Sequence, residues 1–210
     1  MKVELLHYSP QFPDKYVATV MRRTRDPSSV AEIQESLDAK EGWVASLVRL
    51  AKRSKHYGVF EHIVYWFDVS QVSRVLTHQL VRHRLASYVQ LSGRIVNIED
   101  GYIVPPLDYV SDSKLRADLH RFFDSKFKKQ FADYKWLIEN GVHVEDARFL
   151  LPNGQMTSIM VTVNARSLMH IIKMRTAHEA HWEIRELADY MWNLVKPTAP
   201  ILFESIPDDI

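Results

Sequence analysis

The chain has 210 residues, 46% of them hydrophobic, which is enough for one large domain or two small ones with a buried core. Its formal net charge of +1 gives no overall field that would draw it to nucleic acid or to an anionic membrane. No apolar run approaches the ~18 residues of a membrane span, and the N-terminus lacks the apolar stretch of a signal peptide. We therefore expect a cytoplasmic protein that binds neither membranes nor nucleic acid.

The sequence contains no cysteine. This excludes disulfides, thiolate metal sites and a cysteine nucleophile. Any covalent catalysis must therefore use another side chain or a bound cofactor.

Hydrophobic periodicity in the first 81 residues predicts short strands among helices. The polar stretch Thr24–Glu32 is expected to be a loop, and Lys55–His62 a turn rich in side chains that can bind ligands. The predicted elements are a strand at Leu5–Leu6, helices at Asp14–Arg23 and Asp38–Arg53, a strand at Ile63–Val69 and a helix at Val72–Val81.

The rest of the chain begins with a basic loop and is predicted to be mainly helical. A long helix should end at Asn140–Gly141, because these residues favour helix C-termini. The strands do not alternate regularly with helices, so we predict one α+β domain over residues 1–210, with a small, mostly antiparallel sheet surrounded by helices. The predicted elements are strands at Ile95–Ile98 and Met156–Val163 and helices at Ser113–Glu139, Glu145–Leu150, Ala165–Arg175 and Ala180–Leu194.

The most informative segment is the basic loop, Arg82–Arg94, which holds three arginines, a histidine, two serines and a glycine. Arginine offers a rigid fork of donors that matches phosphate, and serine and backbone amides can bind the remaining oxygens. The helix before it places Gln79, Arg82 and His83 at spacings of three and four residues, so an amide, a guanidinium and an imidazole share one edge. The segment indicates an anion site, although a solvated basic loop remains the alternative.

A second polar constellation lies on the predicted helix Ala165–Arg175. Asn164 is placed to cap this helix, and Arg166 and His170 are neighbours one turn apart. Arg175 is expected on a different face from Arg166 and His170. Polar groups on opposite faces would suit a helix held between subunits, whereas solvated charges are the alternative.

Two further segments carry weaker signals. Glu145–Arg148 follows a helix end, and a capping carboxylate beside a surface arginine explains it in isolation. His56, Glu61 and His62 do not form a helical ligand pair, so we expect no metal site. The P-loop, dinucleotide-binding and nucleophile-elbow motifs are absent from the sequence.

Together these segments resemble the flavin-dependent thymidylate synthases, whose motif is Arg-His-Arg-x-x-Ser-x-Asn-x-x-Ser-x-Arg. The chain departs from the family at Val89, where Asn is frequent, and at Ile95, where Tyr is usual. The motif residues that match are Arg82, His83, Arg84, Ser87, Ser92 and Arg94. Further segments that resemble the family in its order are His56–His62, Arg74–Gln79, Glu145–Pro152, Asn164–Arg175 and Trp182–Arg185.

The resemblance implies reductive methylation of deoxyuridine monophosphate (dUMP) to dTMP, in a homotetramer whose active sites combine several subunits. Methylenetetrahydrofolate would donate the carbon, FADH2 the hydride, and NADPH would reduce the flavin again. The lack of cysteine agrees with this, because other thymidylate synthases activate the ring with a cysteine. Here a positioned cation would have to polarise the pyrimidine instead.

The resemblance also assigns residues. Arg175 would be the catalytic cation that favours the ionised pyrimidine. The residues that would bind dUMP are Gln79, Arg82, Gln90, Leu91, Ser92, Gly93, Arg94, Arg148 and Arg175. Those that would bind FAD are Gly58, Arg82, His83, Arg84, Gln90, Asn164, Arg166 and His170. Gln90 stands where many members have Glu, and Gly58 where Ser or Thr is usual.

Two other hypotheses remain open at this level. One is a relative that binds flavin or nucleotide but has weakened catalysis, which the departures at Val89, Gln90 and Ile95 allow. The other is a nucleic-acid-binding module that uses the arginine-rich loop, which the near-zero net charge disfavours.

Overall fold

The computed structural model describes residues 1–93 and 101–210. Within them lie four strands, eight α-helices and two short 3-10 helices at Tyr57–His62 and Arg148–Leu150. The strands are β1 (Lys2–Ser9), β2 (Val64–Ser73), β3 (Ala86–Gln90) and β4 (Met156–Asn164). The helices are α1 (Pro13–Arg23), α2 (Val30–Asp38), α3 (Trp43–Arg53), α4 (Arg74–Leu80), α5 (Ser113–Glu139), α6 (Val144–Ala147), α7 (Ala165–Arg175) and α8 (Trp182–Val195).

The strands form one antiparallel sheet in the order β1-β2-β4-β3, which confirms the predicted α+β class and antiparallel sheet. Tyr65, Phe67 and Val69 alternate along β2 and are fully buried. Ile159, Val161 and Val163 of β4 point to the same side, at most 2% exposed. Alternation with period two thus gives the sheet one apolar face, which the helices cover.

The pairing of β3 with β4 explains how distant segments meet. Ala86, at the start of β3, lies opposite Val163, near the end of β4. Helix α7 begins directly after β4, at Ala165. The antiparallel register therefore brings the residues before β3 next to the N-terminal half of α7.

Two elements occupy stretches that were predicted to be loops. Helix α2 occupies part of the stretch expected to be a loop, and Ser29 and Glu32 form a capping box at its start. Strand β3 lies inside the segment expected to be a basic loop, where exposed Ser87 and Val89 alternate with half-buried Ala86, Tyr88 and Gln90.

Three predicted helices begin later than expected, among them α8, which begins at Trp182 instead of Ala180. Val72 and Ser73 complete β2, and Ser73 then caps α4 through a hydrogen bond from the Leu76 amide at 3.1 Å. Helix α3 begins at Trp43, after Gly42 at φ 76°, a conformation that glycine adopts without strain. The strand predicted at Ile95–Ile98 lies outside the described residues.

The long helix α5 has the predicted bounds and ends at Asn140, followed by Gly141 at φ 83°. Its apolar residues are covered only in part. Phe131 and Tyr134 are buried, whereas Leu115 and Phe122 are 49% and 56% exposed. Of the helices in residues 1–93 and 101–210, none is both long and apolar enough to cross a membrane.

Candidate active site

A cavity of about 610 Å³ lies where the end of α4 and the turn before β3 meet α7. Its volume falls in the range of small-molecule sites, about 300–1,000 Å³. Cationic and apolar side chains share its wall, so it can hold a ligand that has both an anionic and an apolar part. The lining residues are Arg82, His83, Arg84, Leu85, Arg166, Ser167, His170, Ile171, Met174, Arg175 and Ile210.

The wall carries an excess of positive charge. Of its four arginines, Arg166 is paired with Glu61 at 2.6 Å. Within the described part of the chain, Arg82, Arg84 and Arg175 form no ion pair. Cations around a cavity that lack carboxylate partners favour an anionic ligand, to which arginine donates strong charge-assisted hydrogen bonds.

Arg175 and His83 are joined directly across the cavity. Arg175 Nε donates to His83 Nε2 at 2.9 Å, and Arg175 Nη2 lies 3.5 Å from the backbone oxygen of Gln79. Burial, the charge of Arg175 and the neighbouring His170 lower the pKa of His83 to about 4. At neutral pH His83 is therefore uncharged and acts as an acceptor that orients the guanidinium.

Tyr88 fixes the backbone at the same place. Its hydroxyl donates to the backbone oxygen of His83 at 2.9 Å. Burial raises the pKa of Tyr88 to about 12, so the phenol remains a donor over the physiological range. Strand β3 thus holds the turn that carries His83.

Ile210 also lines the cavity, beside His170. His170 Nδ1 lies 3.3 Å from the backbone oxygen of Ile210, and the His170 and His83 rings meet edge to face with centroids 6.1 Å apart. Lys173 donates to the backbone oxygens of Pro207 and Asp208. These contacts hold the last residues over α7.

Six of the predicted site residues line this cavity: Arg82, His83, Arg84, Arg166, His170 and Arg175. The sequence predicted Arg175 on a face of α7 opposite that of Arg166 and His170. The Arg175 side chain, at the end of the helix, nevertheless reaches the same cavity. The polar groups of α7 therefore do not require a second subunit, and the homotetramer stays a prediction.

Two glutamines that were predicted to bind ligands do not line the cavity and form hydrogen bonds within the protein. Gln79 Nε2 lies 3.4 Å from the backbone oxygen of Val75. Gln90 Nε2 donates to the hydroxyls of Thr77 at 3.1 Å and Thr157 at 3.3 Å. To donate to a ligand, Gln90 would have to release one of these hydroxyls, whereas the Oε1 of either glutamine could accept without such an exchange.

The other predicted residues that the structure describes are not on the cavity wall. Asn164 caps α7 as predicted, since its side chain accepts from the Ser167 amide at 2.9 Å. Arg148 donates to the backbone oxygen of Glu145 at 3.1 Å, and Gly58 lies exposed in the first 3-10 helix. Leu91, Ser92 and Gly93 follow β3, and Arg94 lies outside the described residues. Their ligand roles remain predictions.

Sequence reasoning missed several lining residues. Ser167, Ile171 and Met174 recur at spacings of four and three on α7, so helical periodicity could have added them to Arg166 and His170. Leu85 directly follows the predicted motif residue Arg84. Ile210 gave no local signal, because its position depends on how the chain end packs on α7.

Comparison with known proteins then decides the family. The model of the thymidylate synthase complementing protein family matches residues 4–201. The chain belongs to this family. A flavin-dependent thymidylate synthase of Geobacter sulfurreducens is 39% identical over 206 residues, covering 97% of this chain and 85% of its own. Another, from Clostridium tetani, is 35% identical over 217 residues, covering 97% and 86%.

A solved structure supports the fold of this family member. The crystal structure of the UMP/dUMP methylase PolB from Streptomyces cacaoi, bound with 5-Br dUMP, superposes with a TM-score of 0.84. The two chains are 24% identical, and the superposition covers 97% of this chain and 93% of the other.

In residues 1–93 and 101–210, no group of three or more His, Cys, Asp or Glu side chains is placed to bind a metal ion.

Proposed function

We propose that this chain methylates dUMP to dTMP as a flavin-dependent thymidylate synthase. Methylenetetrahydrofolate would donate the carbon, and NADPH would supply the reducing equivalents. Family membership supports the proposal, as do the three arginines of the cavity that form no ion pair with a described residue. The observation that carries it is the Arg175–His83 pair, because it directs a guanidinium into a site that contains no nucleophilic cysteine.

The residues of the cavity fit a flavin. Leu85, Ile171 and Met174 give an apolar wall suited to a planar ring system, and Arg84 and Arg166 supply cations for phosphates. FAD, when bound in its reduced form, supplies the hydride of the reaction. His83 and His170, whose rings meet edge to face on the cavity wall, would contact it there.

The nucleotide requires a phosphate site and a cation near its ring. Arg82 is exposed, lies on the wall and forms no ion pair with a described residue, which suits it to the phosphate. By the family pattern, Ser92, Gly93, Arg94 and Arg148 would add phosphate contacts, and Gln79 would bind the base.

Arg175 would activate the pyrimidine electrostatically. With no cysteine in the chain, negative charge on the ring must be stabilised rather than created by thiolate addition. A positioned donor in a site with little water acts more strongly than in bulk solvent, because it needs no reorganisation. His83 contributes by accepting from Nε, so that Nη1 can face the substrate while Nη2 also contacts the backbone oxygen of Gln79.

The main competitor is a family member that binds flavin and dUMP without efficient turnover. It is favoured by Gln90, whose amide replaces the carboxylate frequent in the family and is bonded to Thr77 and Thr157. The homotetramer, the cytoplasmic location and the absence of nucleic-acid binding remain predictions.

One experiment separates these possibilities. The absorbance spectrum of the purified protein is recorded with and without dUMP, and dTMP is then measured by mass spectrometry after NADPH and methylenetetrahydrofolate are added. We expect a flavin spectrum that dUMP perturbs, and dTMP that requires both co-substrates. Flavin binding without dTMP would identify the weakened relative, and a protein without flavin would contradict the proposal.

A further inference from the structure

Outside the cavity, Glu183 is a buried carboxylate in the first turn of α8, only 2% exposed. Its Oε1 accepts from the backbone amide of Ser73 at 2.7 Å, and its Oε2 accepts from the Ser73 hydroxyl. It has no ion pair in the described ranges, and burying a carboxylate is costly unless hydrogen bonds compensate. The carboxylate is thus committed to a single partner residue.

Ser73 is the point where β2 turns into α4. The first amides of a helix have no partners within it, and each one here is satisfied from outside. Leu76 N donates to Ser73 Oγ at 3.1 Å, and Arg74 N and Val75 N donate to the backbone oxygens of Gln155 and Asn153 at 3.1 and 3.2 Å. Among the described residues, Glu183 is the only partner of the Ser73 amide. A substitution at Glu183 can remove the carboxylate that accepts this bond.

The other end of α4 carries the candidate site. Gln79 lies in its last turn, and Arg82 and His83 follow directly. Glu183 lies eight residues after Arg175 in the sequence and is bonded to Ser73, directly before α4. It therefore links the segment that carries Arg175 to the segment that carries Arg82 and His83. Arg175 contacts the end of α4 through His83 and Gln79 O. The helix is therefore fixed near both of its ends.

We propose that Glu183 is a positioning residue. Through Ser73 it fixes the position of α4 relative to Arg175, and with it the positions of Gln79, Arg82 and His83. The catalytic consequence rests on the proposed function, whereas the geometry rests only on these hydrogen bonds. A displacement of about 1 Å in an active site can cost about a hundred-fold in rate. Loss of the carboxylate should therefore lower turnover without emptying the flavin site.

The test uses the full-length protein with its flavin bound. Glu183→Gln keeps the side-chain shape but replaces one acceptor oxygen with a donor, and Ser73→Ala removes the hydroxyl. Glu186→Gln is the matched control, because Glu186 is half-buried on the same helix and has no hydrogen bond among those described. The readouts are the melting temperature, flavin content, kcat and KM for dUMP, and hydrogen exchange of the peptide spanning residues 74–83.

We expect Glu183→Gln and Ser73→Ala to lower kcat about 10- to 100-fold well below their melting temperatures. Exchange in the 74–83 peptide should be faster, flavin content should be retained, and Glu186→Gln should match the parent protein. The double variant should lose no more than the worse single variant, because residues that act as a unit are not additive.

A Glu183→Gln protein that melts earlier but keeps its kcat, KM and exchange rate would show a purely structural role and overturn the inference. If the parent protein forms no dTMP, the proposed function fails. The exchange measurement then tests the positioning role of Glu183 without reference to turnover. Faster exchange in Glu183→Gln would support that role, and unchanged exchange would refute it. Should Glu183→Gln fail to fold, Glu183→Asp, which keeps the carboxylate but shortens its reach, is measured in the same way, because Ser73→Ala also removes the cap of Leu76 N. Unchanged kcat and exchange in Glu183→Asp would then overturn the inference.

Discussion

The Nε–H of Arg175 points at the Nε2 lone pair of His83, with 2.9 Å between the two nitrogens. This bond exists only while Nε2 is unprotonated, so the imidazole proton must reside on Nδ1. Protonation of His83 would replace an attraction with a repulsion between two cations. The orientation of Arg175 is thus linked to the charge of one histidine.

This linkage predicts a pH dependence of stability. The pKa of His83 is about 4 in the folded protein against 6.5 as its ordinary value, so the unfolded chain binds the proton more tightly. The contribution is fully present above pH 6.5 and is lost as the pH falls toward 4. We expect His83→Gln to flatten the melting temperature of the flavin-free protein over this window relative to the parent. Equal slopes for the two proteins would contradict the low pKa.

Removing the guanidinium of Arg175 should affect turnover more than folding. Arg175→Ala is expected to lower dTMP formation about 10²- to 10³-fold, the usual cost of one charge-stabilising group. Arg175→Lys should recover little, since an ammonium cannot donate to His83 and the substrate with the same fork. Steady-state rates with Arg185→Ala on α8 as control measure this. Near-parental turnover in Arg175→Ala would disprove the assignment.

Arg82 should distinguish the nucleotide from its nucleoside. Arg82→Ala removes one charge-assisted contact, which contributes about 1.5–3 kcal/mol, so the preference for dUMP over deoxyuridine should fall roughly ten- to a hundred-fold. Titration calorimetry of both ligands measures the ratio. Arg53→Ala, at the end of α3 and off the cavity wall, is the control and should leave it unchanged. An unaltered ratio in Arg82→Ala would exclude the phosphate role.

Inhibition by 5-fluoro-dUMP should be reversible. With methylenetetrahydrofolate present, a cysteine-dependent synthase forms a thioether-linked complex, whereas this chain has no thiol. Ser87 and Ser92 would need an adjacent base, and the neighbouring arginines remain protonated. Denaturing mass spectrometry should return the unmodified 24.6 kDa chain. An adduct on either serine would refute electrostatic activation.

Assembly and flavin binding should be coupled. The family resemblance predicts a homotetramer, and partly exposed apolar residues such as Phe122 of α5 and Met160 of β4 are available for burial between chains. Light scattering with simultaneous flavin absorbance should show the flavin only in the tetramer. A flavin-loaded monomer would contradict this prediction.

Local sequence patterns were sufficient to predict most of the helices and the cationic side chains of the site. The capping box of Ser29 and Glu32 could have revealed α2, because its spacing is a sequence signal in its own right. Val72 fits the apolar pattern of both β2 and the following helix, so only the hydrogen bonds of Ser73 locate the boundary.

The convergence of the site could not be read from local patterns. The distance between Arg175 and His83 depends on the pairing of β3 with β4. Because arginines precede and follow β3, its segment was predicted to be a loop, and the alternating burial of its side chains was not recognised. The roles of Glu183 and Ile210 likewise depend on contacts between segments far apart in sequence. Such contacts follow from the assembled core rather than from periodicity.

Leu85 lines the cavity yet keeps 79% of its surface exposed. In a chain without cysteine, Leu85→Cys would create a single thiol at the rim of the site. A fluorescent dye attached there would be the only label on the molecule, and its emission would change as a ligand enters. The arrival of nucleotide and flavin could then be timed separately by stopped flow, without reference to turnover.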